Sequence, residues 1–240
     1  MKTLLTAILA FASIFALAQP WQTINGNGNA GKETRSVSDF TGVSSAGSIA
    51  VQISYGNSNS VSVEADENLL PYIETNVENG VLQIKAKKNM NLKSKNKIRV
   101  QLSLTRLTSL KLSGSGNIDG EGDFSNNGRT EISVSGSGNI NLDFGNISEL
   151  KLAISGSGNI DLDGDQCNNI DASIAGSGNI DCSDVRCNDV FAKISGSGNI
   201  RVNANKSIDA KVSGSGNVYY KGDASTINSK TAGSGKIVRM

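Results

Sequence analysis

Six copies of the string Gly-Ser-Gly-Asn are candidates for chemistry, because backbone N–H groups in glycine-rich loops can bind phosphate. They open at Gly114, Gly136, Gly156, Gly176, Gly196 and Gly214. A phosphate-binding loop leads into a helix N-terminus and often into Gly-Lys-Ser/Thr. Here an Ile or Val in a strand-like pattern follows each copy, and no Gly-Lys-Ser/Thr occurs. The strings therefore favour chain turning over nucleotide binding.

One copy continues into an acidic run, "GSGNIDLDGD" at 156–165, that superficially resembles a calcium-binding repeat. Carboxylates are ligands that Ca²⁺ prefers, so Asp161, Asp163 and Asp165 are candidates for one opportunistic ion. Calcium-binding β-rolls, however, repeat about every nine residues. Arg201 also stands where Asp161 stands in its own copy. We expect no calcium column and no cofactor.

Catalysis would have to rely on carboxylates, because the sequence contains no histidine. Ser-His-Asp and Cys-His catalysis and His-ligated zinc are thereby excluded. Asp143, Asp163 and Asp184 lie at roughly corresponding repeat positions and are the candidates for carbohydrate cleavage. Aromatic residues make up only 5% of the chain, and no aromatic stripe offers sugar stacking. We interpret these carboxylates as solvated turn residues and predict no catalytic residue.

The elements that must position these side chains repeat with a period near 20 residues. The opening glycines are separated by 22, 20, 20, 20 and 18 residues, and a decayed copy opens at Gly233. Apolar or small residues alternate with mostly polar ones on both sides of each string. Such alternation is typical of strands with one buried face. We predict an all-β chain, a right-handed parallel β-helix (β-solenoid) with coils of about 20 residues.

The corner asparagines would stack in register along such a solenoid. Side-chain amides that repeat once per coil can hydrogen-bond up and down the axis, as in cross-β stacks. We predict a structural ladder of Asn117, Asn139, Asn159, Asn179, Asn199 and Asn217.

The N-terminus predicts export. Residues 1–18 combine one positive charge, an apolar core and a small-residue end, which is typical of a secretory signal peptide. We then expect a flexible segment over 19–35 and irregular β structure over 36–110 that begins or caps the solenoid. Residues 111–240 form the regular repeat. No later stretch is apolar enough for a membrane span, so we expect a periplasmic, outer-surface or secreted protein.

Two of the three cysteines occupy the same position in adjacent repeats. Cys167 and Cys187 each lie eleven residues after an opening glycine, so their Cα atoms are expected about 5 Å apart. Export makes a disulfide chemically reasonable. Cys182 instead falls at an inward position. We predict a Cys167–Cys187 disulfide and a buried, inert Cys182 thiol.

The charge balance excludes a nucleic-acid partner. Without Lys2 the chain carries 22 basic and 22 acidic side chains, and it lacks the positive field that nucleic acids require. The most basic segment is "KAKKNMNLKSKNK" at 85–97. Because uncharged residues interrupt it, we interpret it as a solvated loop rather than a binding patch.

Two further stretches, "LLPYIETNVENGVLQIKAKK" and "LTSLKLSGSGNI", lead into the repeated "SGSGNI" strings. Together with the signal peptide, they resemble the putative auto-transporter adhesin, head GIN domain family, which is common in Bacteroidetes. The resemblance covers roughly residues 35–225. It implies a right-handed β-helix exported to the periplasm or cell surface, with an adhesive role. It carries no catalytic residue.

We therefore predict an exported, non-enzymatic adhesion or binding module whose ligand is an unidentified glycan or protein. One alternative is a structural protein that self-associates through its solenoid ends. Charged residues in the last repeat disfavour such edge pairing: Lys230, Lys236 and Arg239. The other alternative is a polysaccharide-acting enzyme built on the three repeated carboxylates.

Overall fold

The structure is a computed structural model that describes residues 21–240, so the predicted signal peptide lies outside the described residues. The chain forms a parallel β-solenoid of about seven turns, which confirms the predicted fold. The N-terminal elements are β1 (Gln22–Asn25), β2 (Ala30–Arg35), β3 (Gly42–Gly47), β4 (Ala50–Tyr55), β5 (Ser60–Asp66), a 3-10 helix (Glu67–Tyr72), β6 (Ile73–Glu78), β7 (Val81–Ala86), β8 (Met90–Lys93) and β9 (Arg99–Leu104). The regular coils contain β10 (Ser109–Gly114), β11 (Asn117–Glu121), β12 (Asn126–Gly136), β13 (Asn139–Gly156), β14 (Asn159–Gly176), β15 (Asn179–Gly196), β16 (Asn199–Gly214), β17 (Asn217–Lys221), β18 (Thr226–Gly233) and β19 (Lys236–Arg239).

Each regular coil runs from a corner asparagine to the first glycine of the next corner. The three longest strands are β13, β14 and β15, with 18 residues each. They are this long because the chain changes direction while its backbone stays paired with the neighbouring coils. Pairing is parallel, and corner glycines lie opposite one another. The β15–β16 pair absorbs the shortened last spacing through register shifts after Cys182 and Cys187. Residues one period apart are therefore direct neighbours.

The tight corner of each coil requires glycine. Gly156 has a φ of +129°, a conformation in which other L residues are strained. A Cβ at Gly156 would also collide with the carbonyl oxygen of Gly136 in the preceding coil. The second glycine of the string, Gly158, is restricted in the same way by Gly138. The close approach of successive coils, rather than a ligand, explains both glycines.

The alternating apolar residues face one continuous core. Leu152, Ile154, Ile160 and Leu162 are each at most 2% exposed. Their equivalents in neighbouring coils stack above and below them. Burying one such side chain contributes about 1.5–3 kcal/mol, so several inward positions per coil stabilise the stack although a single coil would not fold.

The N-terminal strands join this core. β3 and β4 meet at a corner that starts at Gly47, and they stack in register on β10 and β11. On their other side, β3 pairs with β7 and β4 pairs with β9, both in parallel. The chain between β7 and β9 replaces the tight corner of a further coil. Antiparallel pairings add β2, β5 and β6 to this end of the sheet.

The segment 19–35, for which the sequence predicts flexibility, instead contains two strands in its described part. β1 pairs with β8, and β2 pairs antiparallel with β5. The turn between them is also anchored, since the N–H of Gly28 donates to Asp66 Oδ1 at 3.1 Å. Glycine and asparagine favour a mobile chain locally, but long-range pairing overrides that preference. No helix within residues 21–240 has the length and apolarity to cross a bilayer.

Candidate ligand-binding surfaces

The corner asparagines form a continuous ladder along the solenoid. Each rung is a bond of 2.7–3.2 Å in which Nδ2 donates to the Oδ1 of the asparagine one coil earlier. At the C-terminal end, the backbone N–H of Lys236 donates to Asn217 Oδ1 at 3.1 Å. Asn117 is exposed, whereas the later members are half-buried. Interior members such as Asn159 therefore use both side-chain groups within the stack.

The acidic residues considered for calcium lie on the outward face of β14. Asp161, Asp163 and Asp165 alternate with inward or small residues and are exposed. Partial burial raises the pKa of Asp161, and the nearby carboxylates of Asp181, Asp163 and Asp184 act in the same direction. Within residues 21–240, no three His, Cys, Asp or Glu side chains are grouped so that they could hold a metal ion.

The three carboxylates considered for catalysis are placed differently from one another. Asp143 and Asp163 are register neighbours on β13 and β14. Asp184 makes an ion pair with Lys221, with Oδ1 and Nζ 2.9 Å apart. The structure therefore puts two of them side by side and ties the third to a lysine.

Cys167 and Cys187 are opposite each other in the ladder and are joined by a disulfide, with their Cα atoms 4.7 Å apart. Cys182 carries the free thiol and is fully buried. Burial raises the pKa of this thiol well above its ordinary value, and the carboxylates of Asp181 and Asp161 add to the effect. A buried neutral thiol is a poor nucleophile.

A polar cleft of about 420 Å³ crosses several coils. Its lining is mostly amide side chains, including Asn146, Gln166, Asn168 and Asn188, with Arg186 as its charged member. Such groups can hydrogen-bond a polar ligand such as a glycan. The lining of the cleft contains no aromatic side chain that could anchor a ligand.

A second cavity, of about 480 Å³, lies beside the first corner of the solenoid. We call it the end groove; it is lined by Trp21, residues 46–49, residues 85–92 and Ile98. The Trp21 side chain is 72% exposed. The volume lies within the range of small-molecule sites.

The end groove exists because the chain beneath the first corner makes no tight corner of its own. β7 stays paired with β3 as far as Ile84 opposite Ser45, and β9 starts pairing with β4 at Arg99 opposite Ala50. Between these points the chain is not paired as a strand with β3 or β4, and β8 pairs with β1 instead. The space that a corner fills elsewhere stays open.

Three lysines border the end groove: Lys85, Lys87 and Lys88. Lys85 Nζ lies 3.9 Å from Glu74 Oε2, and Lys87 Nζ lies 5.9 Å from the centroid of the Tyr72 ring. Lys88 makes no ion pair with any residue of the described range. An exposed pair at such a distance neutralises little charge, so the groove border is positive.

The chain that follows β8 is held by one buried carboxylate. Asp66 accepts hydrogen bonds of 2.6–3.1 Å from the N–H groups of Gly28 and Lys95, the Ser94 hydroxyl and the Asn96 side chain. Burial alone would raise the pKa of Asp66, but the bonds from Lys95, Ser94 and Asn96 hold it below its ordinary value. Asp66 thereby fixes the segment that leads away from the end groove.

Sequence reasoning missed the end groove, because it interpreted residues 85–97 as a solvated loop. A usable signal was present: this segment carries six lysines and no acidic residue, and the only tryptophan lies near the predicted mature N-terminus. Connecting the two requires the β1–β8 pairing, which no local pattern predicts.

Comparison with known proteins gives one family and several similar folds. The family model described as "Putative auto-transporter adhesin, head GIN domain" matches residues 39–224. No curated protein matches the chain.

A solved structure named as a putative lipid binding protein, from Parabacteroides distasonis ATCC 8503, is 28% identical with a TM-score of 0.76 and covers 91% of this chain and 100% of that one. A putative adhesin from Bacteroides fragilis NCTC 9343 is 23% identical with a TM-score of 0.81, and the match covers 90% of this chain and 100% of that one. Another from Parabacteroides merdae ATCC 43184 is 22% identical with a TM-score of 0.77, covering 91% and 99%. The two adhesins share the fold.

Proposed function

The chain belongs to the putative auto-transporter adhesin, head GIN domain family, and from this membership we propose that it is an exported, non-enzymatic binding module of the periplasm or cell surface. The signal-peptide pattern of residues 1–18 supports export. The Cys167–Cys187 disulfide fits an oxidising compartment. The lack of histidine and the burial of the Cys182 thiol support a role without catalysis.

We place the ligand site in the end groove, and the exposure of Trp21 carries this proposal. An exposed indole that lines an open cavity offers a large apolar surface, and tryptophan is a frequent anchor in binding sites. Residues 46–49 of the corner that starts at Gly47 line the groove, and the strand leading into this corner is paired in register with the next coil.

We propose an amphipathic molecule as the ligand. Leu92 and Ile98 add apolar surface near Trp21, while lysines border the cavity. The similar structure from Parabacteroides distasonis is named as a putative lipid binding protein, which supports an apolar ligand portion.

Trp21 provides the test, because it is the only tryptophan of the chain. The exported protein is titrated with the neutral amphiphile dodecanol, and we expect a saturable change in tryptophan fluorescence. By calorimetry, Trp21→Ala should weaken binding about tenfold or more, as expected for an aromatic anchor.

Ile227→Ala is the matched control, since it removes an exposed apolar side chain from the last coil. It should leave the affinity unchanged. Unsaturable binding, or equal affinity for Trp21→Ala and the unaltered protein, would rule out the end groove as the site.

Self-association is a second candidate function, favoured by the exposed apolar side chains of the last coil: Ile227, Val238 and Met240. Among the described residues, β18 and β19 pair only with the preceding coil, so one edge of each has no strand partner there. An open edge can template strand addition. Light scattering that rises with protein concentration, and is suppressed by Ile227→Lys, would favour this function over a discrete binding module.

A further inference from the structure

Every regular corner places two backbone N–H groups on one oxygen. The carbonyl oxygen of Gly136 accepts from Ser157 N at 2.8 Å and from Gly158 N at 3.0 Å. The same pair of bonds recurs at all six corners from Ser115 to Gly216. A corner is thus a two-donor oxygen site, occupied in each case by the carbonyl group of the preceding coil.

The first corner has the same donors without that oxygen. Gly47 has a φ of +95° and lies in register with Gly114, so the N–H groups of Ser48 and Ile49 correspond to the paired donors. Neither donates to an acceptor within residues 21–240. A Cβ at Gly47 would meet no atom within 4 Å, whereas one at Gly114 would collide with the Gly47 carbonyl oxygen. The unfilled oxygen position adjoins the end groove.

We propose that the end groove binds a free fatty carboxylate, with one carboxylate oxygen held between the N–H groups of Ser48 and Ile49. This inference rests on the proposed function, since it names the ligand class for the same groove. The acyl chain lies against Trp21 and Leu92. At the regular corners a carbonyl oxygen of the preceding coil occupies this position. The chain between β7 and β9 provides no such carbonyl here, and the ligand oxygen takes its place.

The charge around the groove favours an anion over a neutral head group. Lys85, Lys87 and Lys88 border the cavity, and Glu74 is the one acidic partner of these lysines among the described residues. Hydrogen bonds to an ionised acceptor are roughly twice as strong as neutral ones. A carboxylate therefore satisfies both the backbone donors and the lysines, whereas an alcohol or amide satisfies only the donors.

The test compares dodecanoate with dodecanol, both below the concentration at which they aggregate, by amide NMR of the ¹⁵N-labelled exported protein. We expect the amide signals of Ser48 and Ile49 to shift saturably with dodecanoate. Dodecanoate should bind about tenfold more tightly than dodecanol, because its bonds to the two donors are charge-assisted. Acetate at the same concentrations should not saturate the site, since it lacks the chain.

A methyl group can block the oxygen position directly. Gly47→Ala should abolish dodecanoate binding, because at the later corners a Cβ in this place would collide with the bound carbonyl oxygen. Gly80→Ala is the matched control for backbone strain. Gly80 has a φ of +75° and nothing within 4 Å of an added Cβ, but it lies in the β6–β7 turn. That variant should keep the affinity of the unaltered protein.

The lysine contribution is tested separately with Lys88→Gln. We expect it to weaken dodecanoate about threefold, the size of an exposed charge pair, and to leave dodecanol unchanged. Lys206→Gln removes an exposed lysine from β16 and should change neither affinity.

Failure of this inference and failure of the proposed function give different results. Equal affinities for dodecanoate and dodecanol, with Trp21 perturbed by both, would overturn the carboxylate assignment and leave the groove as a binding site. Dodecanoate binding without shifts at Ser48 and Ile49 would also overturn it, because the anion would then lie elsewhere. If neither molecule perturbs Trp21, the proposed function itself fails.

Discussion

Asn159 donates from its side-chain Nδ2 to Oδ1 of Asn139 at 2.7 Å, across one full coil of the solenoid. Its own Oδ1 accepts from Asn179 at 2.9 Å, so the amide is used in both directions. Hydrogen bonds arranged head to tail polarise and strengthen one another. The ladder thus ties the coils together through side chains, in addition to the backbone pairing.

Replacing Asn159 with alanine should lower the free energy of unfolding by about 1–2 kcal/mol, because it leaves two half-buried amide groups without partners. Urea denaturation measures the loss. Asn117→Ala is the control: it removes only one rung, at the exposed end of the ladder, and should cost less. Equal losses for the two variants would contradict a cooperative ladder.

Gly156→Ala should destabilise the protein by about 3 kcal/mol or more, since backbone strain adds to overpacking. The new Cβ would collide with the Gly136 carbonyl oxygen. Gly47→Ala carries similar strain without a collision and should cost about 1–2 kcal/mol. Thermal melts of both variants separate the two causes. Similar melting temperatures for the two variants would show that the collision between successive coils does not contribute to the destabilisation.

Removing the disulfide with the double variant Cys167→Ser/Cys187→Ser should cost about 3 kcal/mol, the magnitude expected for closing a loop of this size. Reducing the unaltered protein should give the same loss in a denaturant titration. A reductant that leaves the unfolding midpoint unchanged would mean that stacking alone fixes these two coils.

Cys182 should make stability fall at alkaline pH. Burial raises the pKa of its thiol in the folded state, so the unfolded chain releases the proton first. The contribution of Cys182 to the free energy of unfolding is complete below the pKa of the unfolded thiol, about 8.5. It is lost as the pH rises through the higher pKa of the folded state. Unfolding free energies across this range measure the slope.

Cys182→Val is the matched variant, since Val202 occupies the equivalent position on the next coil. Its alkaline slope should be shallower than that of the unaltered protein. Identical slopes would assign the effect to another group.

Asp66 should make stability fall at acid pH. Its pKa is held below the ordinary value by hydrogen bonds, so its contribution is present above the unfolded pKa of about 3.9. It is lost as the pH falls through the lower folded value. Asp66→Asn should melt at a lower temperature at neutral pH and show a weaker acid dependence.

Hydrogen exchange gives the local readout for Asp66. The amide of Lys95, which donates to Asp66 Oδ2 at 2.7 Å, should lose protection in Asp66→Asn. Glu64→Gln provides a nearby control, because Glu64 pairs with Lys32 rather than with this segment. Retained protection at Lys95 in Asp66→Asn would show that Asp66 does not fix the chain after β8.

The period near 20 residues was enough to predict most of the regular half. Once equal spacing implies stacked coils, Cys167 must lie opposite Cys187, and each corner asparagine opposite the next. The structure places them in these positions. The prediction of flexibility was wrong at residues 22–35, because glycine and asparagine content indicates only how mobile an isolated chain would be. The partners of β1 and β2 lie far along the sequence.

The sequence by itself determined the coil, its inward face and its glycine corners, because these depend on contacts at one constant separation that repeats along the chain. Only the tertiary structure decided where the end groove lies. The end groove brings Trp21 against residues 85–92, two segments that share no pattern. It opens where the repeat is interrupted and a corner lacks its neighbour. The repeat pattern predicts the features that all regular coils share. It cannot predict the interruption between β7 and β9, because that segment does not follow the repeat.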